Sequence, residues 1–126
     1  MNPGLGLIGL ARKGGRIEMG EEPCGSACRA GRAAAVFTAC DAADNSLRRA
    51  SGFAKLAQIP HFTLNFTKED LGAACGRNSL AMFAVCDFGL ALTIAQRLCL
   101  CDECELDFLK QAVALTAKKN KARKKK

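Results

Sequence analysis

Two apolar runs constrain this chain more than any other feature: Ala33–Cys40, broken only by Thr38, and Leu80–Cys86, unbroken. Runs of this length, bounded by turn and polar residues, suit strands buried inside a sheet, with Val36 and Phe37 at the centre of the first. Neither approaches the roughly 20 apolar residues that a membrane-spanning helix needs. Helical patterns lie between them. Leu47, Ala50, Phe53, Ala54 and Ala57 recur at helical spacing, with Asp41 or Asp44 as the capping residue and Arg48, Arg49 and Lys55 facing outward. Pro60 ends that helix, and His61–Phe66 reads as another strand. Strands alternating with helices argue for an α/β fold.

The remaining segments fit the same alternation. Leu5, Leu7, Ile8 and Ala11 describe a short amphipathic helix stopped by Gly14–Gly15. A second helix is expected over Gly20–Ala30, ending at Gly31. Pro23 is acceptable there because first-turn N–H groups have no intrahelical partner. Thr67 and Asp70 have capping-box spacing before a short helix through Leu71 and Ala74. Gly76–Ser79 reads as a loop and Asp87–Leu98 as a helix. Beyond it, Asp102, Glu103, Glu105 and Asp107 precede Leu106, Leu109, Ala112, Val113 and Ala117, an order of charge that suits the helix macrodipole. The expected organisation is a folded domain over residues 1–98, a helical extension over 99–117 and a disordered basic tail over 118–126.

Charge is distributed unevenly. The net charge of +7 resides in Lys118, Lys119, Lys121, Arg123, Lys124, Lys125 and Lys126. Removing these seven from the nineteen lysines and arginines leaves twelve, against twelve acids, so the body is neutral. A flexible polycation attracts polyanions by releasing their counterions, with about 0.7 to 0.9 added to the salt slope per phosphate contact.

Several chemistries are argued against. Gly4-x-Gly6-x-x-Gly9 spells a dinucleotide fingerprint, but the strand that should precede it has no room before Pro3. Asp87-Phe88-Gly89 matches a kinase triplet without its partner motifs. The single histidine, His61, lies in an apolar strand, and no carboxylate pair has an acid–base context. The eight cysteines lack an export signal: Leu5–Ala11 is followed, not preceded, by Arg12, Lys13 and Arg16. The chain is therefore expected in the cytoplasm with its cysteines as thiols, most serving as small hydrophobes. Cys99, Cys101 and Cys104 form the one soft-metal candidate, but no second paired motif supplies a fourth ligand. No catalytic residue, cofactor or metal site is expected.

Read together, the segments resemble the L-seven-Ae ribosomal-protein family, which includes the kink-turn-binding proteins, and are most similar to a small bacterial branch. The residues carrying this are Leu7-Ile8-Gly9-Leu10-Ala11-Arg12-Lys13-Gly14-Gly15-Arg16, Gly20-Glu21-Glu22 and Arg29-Ala30-Gly31, then Ala39-Cys40-Asp41-Ala42-Ala43-Asp44-Asn45 and Ile59-Pro60. Leu71-Gly72-Ala73-Ala74-Cys75-Gly76-Arg77 and Ala84-Val85-Cys86-Asp87-Phe88-Gly89-Leu90-Ala91 complete the match, which covers about residues 4–98. The resemblance implies a three-layer α/β/α sandwich around a four-stranded mixed sheet. It also implies RNA recognition by the start of the second helix and the loop before the last strand, here Gly20–Arg29 and Gly76–Leu80. Where kink-turn binders carry Gly-x-Asn-Glu-x-x-Lys, this chain keeps Gly20 but has Glu22, Pro23 and Ser26.

The expected function is thus a non-catalytic, monomeric RNA-binding protein that associates with ribosomal or other structured RNA, with the ribosome as a candidate partner and no membrane. Arg16, Arg29, Arg32 and Arg77 are expected on phosphates, and Leu80 on a base or sugar. Gly20, Glu21, Glu22, Ser26, Asn78 and Ser79 form the surrounding surface, and the seven tail cations add nonspecific affinity. The alternative is a protein-interaction scaffold on the same fold that has lost specific RNA recognition, which Glu18, Glu21, Glu22 and Pro23 favour.

Overall fold

The structure, a computed structural model, describes residues 3–98 and 106–115. Its elements are α1 (Pro3–Lys13), β1 (Ile17–Met19), α2 (Glu21–Arg29), β2 (Ala35–Thr38) and α3 (Asp44–Ala57), followed by β3 (His61–Thr63), α4 (Lys68–Ala74), β4 (Met82–Val85) and α5 (Phe88–Leu98). Residues 106–115 add a further helical segment. The strands form one mixed sheet in the order β1-β4-β2-β3, with β4 antiparallel to both neighbours and β3 parallel to β2.

Alternation along the central strands builds the layers. Ala35, Phe37, Phe83 and Val85 join one apolar cluster with Ile8 of α1, Leu71 of α4 and Ile94 of α5. Val36, Met82 and Ala84 turn the opposite way, against Cys24 and Ala27 of α2 and Ala50 and Ala54 of α3. Side chains flip faces at every residue of a strand, so burying both faces requires apolar residues throughout. That is why β2 and β4 are buried along their whole length. Phe37 stacks on its cross-strand partners, with ring centroids 5.5 Å from Phe62 and 5.4 Å from Phe83. The other layer is built from small residues. A Cβ at Gly25 would fall 2.8 Å from Phe53 Cζ, so the missing side chain lets α2 pack against the Phe53 ring of α3 where it stands.

Local details depart from the sequence expectations in four places, one of them the strand read over His61–Phe66, which ends at Thr63. Ile17–Met19 is a strand, although its three residues carry no readable period; it pairs with β4 through Ile17↔Val85 and Met19↔Phe83. Neither Asp41 nor Asp44 caps α3. Ala43 occupies the cap without a side-chain hydrogen bond, Asp44 begins the helix, and Asp41 Oδ1 accepts the Lys68 N–H at 2.8 Å instead. The apolar runs also outlast their strands, although Ala34 N–H still donates to Val85 O and Ala39 N–H to Ala81 O. The capping box at Thr67 and Asp70 is present as read.

The segment over 106–115 docks on the domain. Leu106 and Leu109 are buried in the cluster shared by α1, α4 and α5, and Phe108 meets Phe88 edge-on at 6.3 Å. Cys99, Cys101, Cys104 and the Lys118–Lys126 tail lie outside the described residues. Among the described residues, no helix is long and apolar enough to cross a membrane.

Candidate nucleic-acid interface

The fold sorts the expected site residues onto opposite edges of the sheet. β1 and β2 end, and β4 begins, along one edge: Met19 pairs with Phe83, and Thr38 with Met82. Gly20 extends this edge, its N–H donating to Met82 O at 3.0 Å. Here α2 starts, so Gly20, Glu21 and Glu22 share the edge with the exposed loop residues Arg77, Asn78 and Ser79, and Ser26 is exposed further down α2. β1 and β2 begin, and β4 ends, along the other edge. Arg16, Arg29 and Arg32 belong there, because α2 runs back the length of the sheet before Arg29.

Two of those arginines are already engaged. Arg16 pairs with Asp87 at 3.1 Å, and Arg32 with Glu18 at 3.6 Å. A solvent-exposed ion pair contributes only about 0–1 kcal/mol to stability, but it places a carboxylate beside the charge that was to meet phosphate. Leu80 requires a plainer correction. It is 3% exposed within the main core, with its N–H donating to Lys68 O, so its side chain is not presented to a base or sugar.

The loop at the first edge is held by close backbone packing. A Cβ on Gly72 of α4 would lie 2.7 Å from Ser79 Cα and 2.8 Å from Arg77 O, and Arg77 N–H donates to Gly72 O at 2.7 Å. Seated this way, the loop carries Arg77 back over the start of α2. A Cβ on Gly20 would sit 3.4 Å from Arg77 Nη1, and the φ of 98° at Gly20 is itself hard for other residues to adopt. No side chain caps α2, which leaves the first-turn N–H groups of Glu21 and Glu22 facing outward. Pro23 removes a third. Glu21 accepts a 2.8 Å hydrogen bond from Arg49, whereas Glu22 is exposed and has no ion-pair partner among the described residues. The edge therefore offers an arginine, two backbone donors and the positive end of a helix dipole, opposed by two acids.

His61, Cys24, Cys75 and Asp87 are buried or hydrogen-bonded away from this edge. His61 Nε2 shares a 2.9 Å hydrogen bond with the buried Thr38 hydroxyl, and burial lowers its pKa from the ordinary value. Burial, reinforced by the neighbouring Cys28 and Cys86 thiols, pushes Cys24 up to about 12. Burial also raises Cys75, although the Arg12 and Arg77 guanidiniums pull it partly back. Asp87 accepts the Leu90 N–H at 2.8 Å at the start of α5. Gly4, Gly6 and Gly9 lie within α1. Among the described residues, no group of three or more His, Cys, Asp or Glu is arranged to hold a metal.

Sequence reasoning missed Gly72, which seats this loop. It acts through backbone contacts with the loop that no local pattern announces.

No protein-family model matches the chain, and no curated protein matches its sequence. Solved structures do. A protein of unknown function from Bacillus halodurans C is similar with a TM-score of 0.69 and 25% identity, over 76% of this chain and 96% of that one. The Giardia lamblia 15.5kD RNA binding protein has a TM-score of 0.59 and 18% identity, over 88% of this chain and 85% of that one. The second likeness is one of fold.

Proposed function

We propose that this chain is a non-catalytic RNA-binding protein of the L-seven-Ae ribosomal-protein type, acting as a cytoplasmic monomer on ribosomal or other structured RNA. One observation carries the reading: the loop Gly76–Ser79 is clamped on Gly72 so that Arg77 stands over Gly20 at an uncapped helix start. An arginine beside outward backbone donors is a phosphate-binding arrangement. The fold it shares with a Giardia RNA-binding protein supports RNA as the ligand, as does the family-like order of motifs.

The chemistry favours phosphate and shape over base identity. Glu22 when ionised has only acceptors, Pro23 has no N–H, and Ser26 lacks the reach and charge of a lysine. Kink-turn specificity is thus expected to be weak, with the seven tail cations supplying much of the encounter rate and salt dependence. A titration of the labelled protein with a kink-turn RNA, followed by amide NMR shifts, tests this. Shifts at Gly20–Glu22 and at Arg77, Asn78 and Ser79 are expected. Shifts confined to residues 118–126 would remove the folded edge from the function.

A scaffold that binds protein is the second reading. Leu10 and Leu56 favour it, at 68% and 65% exposed on a neutral body. The two leucines lie on opposite faces of the sheet, and RNA-independent capture of a defined protein that is lost on replacing either of them by Ser would select it.

A further inference from the structure

The loop touches a second cation on its far side. A Cβ built on Gly76 would lie 3.5 Å from Arg12 Nη2 and 3.6 Å from both Cζ and Nη1. Near-equal distances to these three atoms mean that the guanidinium presents its flat face to the loop. An edge-on approach would leave Cζ clearly farther away than the nitrogens. The N–H edge of a guanidinium so placed does not point at Gly76, and it is the edge that makes paired hydrogen bonds to phosphate. Arg12 and Lys13 are both exposed.

The charge of Arg12 acts on the buried Cys75 thiol but enters no ion pair among the described residues. Arg16, Arg32 and Arg49 each meet a carboxylate, whereas no carboxylate among the described residues pairs with Arg12, Lys13 or Arg77. Arg12 is not needed to finish its own helix either. Backbone N–H groups of Gly14, Arg16 and Gly15 already take the last carbonyls of α1, those of Leu10, Ala11 and Arg12. The cleft of about 230 Å³ beside it, between α1 and α4, is walled by residues such as Gly6, Gly9, Leu10 and Ala73 and contains no acid. Two unpaired guanidiniums therefore flank Gly76, one over α2 and one over α1.

We infer that Arg12, seconded by Lys13, is a further phosphate-contacting position, and that bound RNA crosses the loop Gly76–Ser79 from the start of α2 to the end of α1. This rests on the RNA-binding reading above and extends its footprint to an element that reading does not include. Contacts to phosphate carry no sequence information, so the contribution does not depend on which bases the RNA presents.

The test uses the full chain and four variants, Arg12→Ala, Arg12→Lys, Arg77→Ala and Arg48→Ala. Affinity is measured for a kink-turn RNA and an unkinked duplex of equal length across a salt series. Arg12→Ala is expected to weaken binding to both RNAs about three- to tenfold and to lower the salt slope by about 0.7 to 0.9. Arg12→Lys should restore the slope, and Arg48→Ala, exposed on α3, should behave as wild type. Thermal melting is followed in parallel, because a merely structural role would lower the melting temperature and leave the slope unchanged. Loss with Arg77→Ala but not Arg12→Ala overturns this inference and leaves RNA binding by the edge intact. Loss with neither overturns both.

Discussion

A single missing side chain at Gly72 sets the height of the loop that carries Arg77. Any Cβ there would press on backbone at Ser79 and Arg77, which cannot swing aside as a flexible side chain would. Gly72→Ala is therefore expected to cost about 1–3 kcal/mol in urea unfolding. Gly52 of α3 makes the contrast, since a Cβ there would meet nothing within 4 Å. Gly52→Ala should stabilise by about 0.5–1 kcal/mol, because alanine orders into a helix at lower entropic cost. Thiol reactivity follows the same logic of surroundings. With its thiol pushed up to about 12 and fully buried, Cys24 should stay unmodified in native protein, while exposed Cys40 alkylates readily. Peptide mapping after brief iodoacetamide treatment checks this, and labelling of Cys24 at the rate of Cys40 would contradict it. None of these distinctions is legible locally. Gly72 and Gly52 look alike in sequence, and so do an apolar Leu80 that is buried and one that is offered to a ligand.

Among the elements, the pairing of β2 with β3 carries a pH dependence. Burial holds His61 below its ordinary 6.5, and its ring is tied to Thr38. The unfolded chain takes up a proton near that ordinary value, whereas the folded chain resists it. This contribution is therefore complete above about pH 6.5 and is lost as pH falls through the lower folded value. The urea midpoint should stay level from pH 8 to about 7 and then decline before the carboxylates titrate, and His61→Gln should flatten that decline. A midpoint that rises on acidification would reverse the sign and contradict the assignment. Element identity was largely readable: β2 and β4 as continuous apolar runs, α4 from its capping box, α2 from Pro23 and Gly31. β1 was not, because three residues at a sheet edge show no period and become a strand only when β4 supplies hydrogen bonds. Asp41 and Asp44 each looked like caps, but a loop carboxylate bonds whichever N–H the tertiary fold brings near, which for Asp41 is Lys68.

Across the whole molecule, the decisive property is where charge goes unopposed. The neutral body and the basic tail can be counted from the sequence, but the ion pairs cannot. Arg16 and Arg32 read as phosphate ligands until the sheet sets Asp87 and Glu18 beside them. Arg77 and Arg12 are among the cations that meet no carboxylate within the described residues, and these two stand beside one loop. The candidate site was thus half legible: its start at Gly20 and its loop could be located by resemblance, but the edge on which each arginine falls depends on strand direction. The tail could produce RNA binding with no help from this edge, so the central claim is tested by removing the tail's charge. In the full-length chain Lys118, Lys119, Lys121, Arg123, Lys124, Lys125 and Lys126 are replaced by Gln, and affinity for the kink-turn RNA and the unkinked duplex is measured across salt. The account predicts weaker but measurable binding to both, with a residual salt slope that Arg77→Ala reduces further. Binding that vanishes for both RNAs once the tail is neutral would contradict it, and would make the folded domain a carrier for a polycation.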